Sequence, residues 1–296
     1  MAEFFTSYRE CLLDLSQPLA KRTNAAFHLR TMGTIEAADA IAQALLLRED
    51  GCLMRHELAY ILGQMGHVEF CETLCNILKD ENDDVMVRHE SAESLGAIAD
   101  PSCLPLLELY CHDKLPEISE TCQIAVDLIK WKQSQSLISQ SSEENIENIP
   151  KSNYLSKDPA PALSTNNSIH ELQTILLDSS LSLFLRYRAM FSLRNLNSDE
   201  SALALVQGFN DNSALFRHEI AYVLGQMERP VTIPGLKRVL ENKNEHKMVR
   251  HEAAEALGGI GGDEVKVILY EYEHDDESVV KDSCEVALGA IEYWSD

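Results

Sequence analysis

The sequence predicts an all-α fold, a solenoid of helical hairpins arranged as two duplicated halves of four hairpins each. Three observations predict it. Hydrophobic residues make up 45% of the 296-residue chain and aromatics only 6%, a composition that suits packed helices better than a β-sandwich. An arginine recurs near every thirty-third position, at Arg22, Arg55 and Arg88 and again at Arg186, Arg217 and Arg250. Finally, whole motifs return 162 residues later. RHELAYILGQM at 55–65 and RHEIAYVLGQM at 217–227 share 9 of 11 residues, and MVRHESAESLGAI at 86–98 and MVRHEAAEALGGI at 248–260 share 10 of 13.

Each repeat reads as a hairpin. In VMVRHESAESLGAI, Val87, Ser91, Leu95 and Ile98 fall on one helical stripe. Asp83 and Asp84 precede this helix as N-cap candidates. A second helix lies upstream, as FCETLCNILKD does here. A unit of this length is of the HEAT type. In chain order, the hairpins around Arg22, Arg55 and Arg88 are closed by the degenerate PEISETCQIAVDLIKW, so 1–132 forms the N-terminal half. The Ser-, Asn- and Pro-rich stretch 133–168 loses the helical period and reads as a flexible, solvated linker without chemistry. Hairpins around Arg186, Arg217 and Arg250 follow, closed by SVVKDSCEVALGAIEYW, and 169–296 forms the C-terminal half. The repeated arginine is expected to pair with an Asp of a neighbouring turn.

Charge narrows the function classes. With 25 basic and 48 acidic residues the net charge is −23, which opposes nucleic acid and anionic membranes and favours a metallic or cationic ligand. The longest apolar run, about 37–47, is interrupted by Asp39 and Gln43 and is too short to span a bilayer. The N-terminus has no secretory pattern. The eight cysteines contain no CxxC, and Cys71 and Cys75 read as small, reduced, semi-buried residues, consistent with a cytoplasmic protein.

The halves agree best in polar residues. His56-Glu57, His89-Glu90, His218-Glu219 and His251-Glu252 occupy one position of four hairpins, and packing alone gives no reason to repeat a titratable dipeptide four times. Equivalent helices of adjacent hairpins stack roughly 10 Å apart, so His56 and His89 converge as one imidazole pair and His218 and His251 as another. Glu57 or Glu90 completes the first set and Glu219 or Glu252 the second. Two histidines and a carboxylate with open positions point to non-haem iron, and apposed halves would form a dinuclear site. HExxH is absent, which speaks against a zincin protease. One turn beyond the second and fourth histidines, Glu93 and Glu255 are placed to orient an imidazole. Tyr60 and Tyr222 hold that position in the other two motifs. His28, His67, His112, His170, His246 and His274 lack the register. On fold alone the rival is a HEAT scaffold or a phycobilin-lyase-like protein, and on ligands alone it is a zinc or manganese hydrolase.

Four RHE motifs on HEAT-type hairpins, in two halves joined by a variable linker, resemble the deoxyhypusine hydroxylases. That resemblance covers all but the linker. It implies a cytoplasmic, monomeric di-iron monooxygenase that uses O2 to hydroxylate the deoxyhypusine side chain of translation initiation factor five A. It further implies that His56, His89 and Glu90 bind one iron and His218, His251 and Glu252 the other. Glu57 and Glu219 would lie beside the irons as catalytic carboxylates that hold the substrate amine. Met86 and Met248 would line the pocket, and Gly63 and Gly225 would sit where substrate approaches closely.

Overall fold

The structure is a computed structural model that describes residues 2–141, 152–164 and 166–293. Sixteen α-helices pair into eight hairpins, and no strand occurs among the described residues. The first half contains α1 (Ala2–Leu13), α2 (Leu19–Met32), α3 (Ile35–Leu45), α4 (Cys52–Met65), α5 (Cys71–Lys79), α6 (Val85–Ile98), α7 (Leu104–Tyr110) and α8 (Pro116–Ser141). The second contains α9 (Ile169–Leu177), α10 (Leu183–Leu196), α11 (Asp199–Val206), α12 (Ala214–Met227), α13 (Ile233–Glu241), α14 (Lys247–Ile260), α15 (Asp263–Tyr272) and α16 (Ser278–Tyr293).

Local chemistry starts the inner helices where the sequence places them. Asp84 caps α6 by accepting from the Met86 amide at 2.9 Å, and Ser182 and Ser213 cap α10 and α12. The even-numbered helices form the inner layer. Within a half they stack α2 on α4, α4 on α6 and α6 on α8, and likewise α10 to α16. The stack also continues between halves, α8 against α10 and α16 against α2, so eight inner helices close into a ring. Polar contacts help to hold the closure: Lys247 Nζ to Asp84 at 2.9 Å, and the Ser213 hydroxyl donating to Glu120 at 2.6 Å. No helix of the described residues is long and apolar enough to cross a membrane.

The repeated arginines tie each hairpin to its neighbour. Arg55 donates through Nε to the Leu45 carbonyl at 2.9 Å and through its amino groups to Asp83 at 2.5 and 2.7 Å. Arg88, Arg186 and Arg250 do the same toward Asp113, Asp211 and Asp275, each with a Leu carbonyl ten residues upstream, and Arg22 pairs with Asp50. Arg217 differs, taking Glu245 as its carboxylate. These buried guanidiniums satisfy the loop carbonyls that a hairpin turn leaves unpaired.

The stretch expected to be a solvated linker differs from that expectation at both ends. Helix α8 runs through 133–141, and 152–164 packs down on α10, with Ala160 and Ala162 buried in the core. The remainder, 142–151 and 165, lies outside the described residues. The anchor is Arg194, fully buried and bidentate to Asp158 at 2.6 and 2.8 Å, stacked between Tyr154 and Phe191. Its lone buried charge requires a carboxylate, and the connecting segment supplies one.

Candidate metal centre

The RHE motifs sit on α4, α6, α12 and α14, near the middle of the ring. On each helix the arginine turns outward to its acidic partner while the next two residues turn inward. His56, His89, His218 and His251 are all buried, as are Glu57, Glu90, Glu219 and Glu252. Within a half, the ring centroids of His56 and His89 are 5.4 Å apart and those of His218 and His251 5.3 Å. Across the halves, His56 and His251 are 5.2 Å apart and His89 and His218 5.4 Å. The expected two pairs therefore meet as a single cluster of four imidazoles.

Carboxylates follow the same pseudo-two-fold arrangement. Glu90 lies 3.4 Å from His56 Nε2 and Glu252 lies 3.4 Å from His218 Nε2. Glu57 meets His56 Nδ1 at 3.1 Å. Donor atoms of His218, His251 and Glu252 lie within 4.8 Å of one another, and so do those of His56, His89 and His218, and of His89, Glu90 and Glu93. Glu255 approaches His251 Nδ1 at 3.5 Å and accepts from the Ser283 hydroxyl at 3.1 Å. Of the two glutamates expected to orient an imidazole, Glu255 thus stands beside His251 and Glu93 beside His89 and Glu90.

Electrically the cluster is unbalanced without a cation. His56 Nε2, both ring nitrogens of His89, His218 and His251, and one oxygen of Glu219 are buried without a hydrogen-bond partner. Buried polar atoms in such numbers need a ligand to satisfy them. Burial pushes Glu57, Glu93, Glu219 and Glu252 up, and neighbouring carboxylates add to the shift. Glu90 and Glu255 are also raised, by burial against the opposing pull of His56. Burial likewise drives His89, His218 and His251 well below the usual imidazole range. In His56 burial is outweighed by Glu57 and Glu90, which hold it well above that range. A divalent cation relieves all of these costs together, because neutral imidazole and ionised carboxylate are its preferred ligands. The donor set fits iron.

Beside the cluster lies a cavity of about 160 Å³, lined by Phe27, Tyr60 and Tyr222 together with His56, His218, Glu57, Glu90, Glu93, Glu219, Glu252 and Glu255. Six carboxylates thus face one small volume. Phe27 belongs to no repeated motif, and no sequence signal marks it. The same holds for Asp158, whose charge acts on Glu93 and Glu219 from the segment between the halves.

Four of the expected pocket residues stand outside the lining of this cavity. Met86 and Met248 are completely buried in the apolar core, which spans both halves, and do not line the cavity. Gly63 and Gly225 also lie off the cavity and serve helix packing. A Cβ on Gly63 would lie 2.8 Å from Ser94 Cα, and one on Gly225 would lie 2.9 Å from Ala256 Cα. They are glycines because α4 on α6, and α12 on α14, approach too closely for a side chain.

Comparison with known proteins agrees with this architecture. HEAT repeats match at 39–126 and 202–289, and a PBS lyase HEAT-like repeat matches at 185–211. The deoxyhypusine hydroxylase of Drosophila melanogaster is 47% identical over 277 residues, covering 94% of this chain and 88% of its own length. That of Danio rerio is 47% identical over 95% of this chain and 90% of its own, and that of Homo sapiens 43% identical over 96% and 90%. The solved structure of human deoxyhypusine hydroxylase in complex with glycerol superposes with a TM-score of 0.89 at 42% identity, covering 98% of this chain and 96% of that one. At these identities and coverages, the chain belongs to the deoxyhypusine hydroxylase family.

Proposed function

We propose that this chain hydroxylates the deoxyhypusine side chain of translation initiation factor five A, with O2 as co-substrate and two irons as cofactor. The observation that carries the reading is a buried cluster of four imidazoles, seven of whose ring nitrogens lack a hydrogen-bond partner, beside a small cavity lined by six carboxylates. His56, His89 and Glu90 would hold one iron, and His218, His251 and Glu252 the other. Iron supplies the oxygen activation and C–H oxidation that no side chain can perform.

The protein does the rest. Glu57 and Glu219 lie on the cavity wall and hold the terminal ammonium of the substrate by charge-assisted hydrogen bonds. Anchoring the far end of a long flexible amine fixes which carbon faces the metals. Glu255 restrains the His251 ring. Phe27, Tyr60 and Tyr222 close the cavity against water, which strengthens every charge interaction within it. The overall negative charge steers a cationic side chain toward the ring. All eight cysteines are free thiols, in keeping with work in the reducing cytoplasm.

Metal analysis together with a hydroxylation assay on a deoxyhypusine-bearing acceptor tests this. Two irons per chain and O2-dependent product are expected. His89→Ala should lose iron and activity together, while Glu57→Gln should keep iron and raise KM roughly tenfold or more. Full activity in an iron-loaded His89→Ala protein would overturn the ligand assignment. Zinc in place of iron, or no metal at all, would overturn the reaction class.

A further inference from the structure

The first half carries a group of thiols that the ring centre does not use. Cys71 and Cys75 stand one turn apart on α5, and Cys103 ends the short 3-10 turn that leads into α7. Asp100 caps that turn, set in place by Ala99 in the left-handed conformation at φ 61°. Cys71 Sγ, Cys103 Sγ and a carboxylate oxygen of Asp100 lie within 4.8 Å of one another. The Cys75 thiol also reaches the Cys103 sulfur. Cys71 and Cys103 are buried while Cys75 and Asp100 are half-buried, so the group has one side open to an incoming ion.

The duplication provides an internal control. At the same four positions of the second half, 162 residues on, stand Ile233, Lys237, Gly262 and Val265. Ile233 and Val265 are buried in the core there. Packing at the Cys71 and Cys103 positions therefore asks only for aliphatic side chains, whereas the first half has donors at all four positions. Cys71, Cys103 and Asp100 form a soft three-donor set, and the Cys75 sulfur beside Cys103 offers the fourth position. Cys-x3-Cys with Asp-x2-Cys has the short spacings such sites use. A disulfide would engage two sulfurs and leave the third and Asp100 without purpose.

We propose that Cys71, Cys75, Cys103 and Asp100 bind a thiophilic divalent cation of the zinc class, which pins α5 to the start of α7. The ion replaces the thiol protons, which leave to solvent. By joining the outer helices on either side of α6, it braces the hairpin that carries His89 and Glu90.

Cobalt titration of the reduced, iron-loaded, full-length chain tests this under argon. A single equivalent of Co²⁺ should produce sulfur-to-cobalt charge-transfer absorption with tetrahedral d–d bands, and Zn²⁺ should abolish both. Histidine and carboxylate ligands at the ring centre cannot produce the sulfur band, so failure of the iron assignment leaves this readout untouched. Cys103→Ser should lose the band. Cys75→Ser, at a half-exposed position that tolerates the change, should weaken Co²⁺ binding at least tenfold while circular dichroism stays native. Absence of the sulfur band in the parent chain, or its survival in both variants, would overturn the proposal.

Discussion

Tyr60 and Tyr222 share one hydrogen bond, with their hydroxyl oxygens 2.9 Å apart, although 162 residues separate them. They are equivalent residues of the two halves, on α4 and α12, and meet across the ring beside the metal cluster. Gln226 donates to the Tyr222 hydroxyl at 2.9 Å and to the Ser156 hydroxyl at 3.1 Å. Arg194 in turn donates to Gln226 at 2.8 Å. A chain of hydrogen bonds therefore runs from the connecting segment to the cavity wall.

The order of this chain predicts an asymmetry between the two tyrosines. Tyr60→Phe removes one bond and leaves Tyr222 paired with Gln226. Tyr222→Phe strands both the Tyr60 hydroxyl and one Gln226 donor. Tyr222→Phe should therefore be the more destabilising, by about 1 kcal/mol, as denaturant unfolding would measure. Equal effects would mean that the two hydroxyls do not depend on each other.

Asp158→Ala leaves the Arg194 guanidinium buried without its carboxylate. A cost of about 3 kcal/mol is expected, together with faster proteolysis within 152–164. The Gln64 side chain also grips that segment, accepting from the Lys157 amide at 2.7 Å. Gln64→Ala should produce the same proteolytic change with a smaller loss, about 1 kcal/mol.

Gly225→Ala tests the packing role directly. Its new methyl meets backbone rather than a flexible side-chain end, so α12 must move away from α14. A loss of about 1–3 kcal/mol is expected, with lowered iron content because His218 moves with its helix. A change in substrate KM at unaltered stability and metal content would return Gly225 to the substrate pocket.

The response to pH should depend on the metal. In the metal-free chain Glu57, Glu90, Glu93, Glu219, Glu252 and Glu255 are raised. Their stabilising contribution is full below the ordinary carboxylate range and is lost as pH rises through the folded values. His56, also raised, acts in the same direction. The depressed His89, His218 and His251 act oppositely, withdrawing stability as pH falls through the ordinary imidazole range. Melting temperature against pH should therefore fall on the alkaline side for the metal-free chain and stay flatter for the iron-loaded one. Iron addition to a weakly buffered sample should release protons. Parallel melting profiles would contradict this account.

The repeat length, the duplication and the fourfold RHE register were all legible in the sequence, because each is a local pattern. Helical periodicity acts within a turn or two, and hairpin stacking involves only nearest neighbours. Even the carboxylate partners of the repeated arginines follow, since they lie one hairpin away. Tertiary structure alone decided the rest. Small rotations accumulated over eight hairpins bring α16 onto α2 and α8 onto α10, and no single motif encodes that sum. Ring closure is what merges two histidine pairs into one cluster, joins Tyr60 to Tyr222, brings Phe27 to the cavity and sets the charge of Asp158 behind Glu93 and Glu219. It also separates two kinds of residue that look alike in the repeat. Glutamates at the inner face become the charged wall, while Gly63 and Gly225 are consumed by helix contact, because burial depends on which surfaces the closed ring presses together.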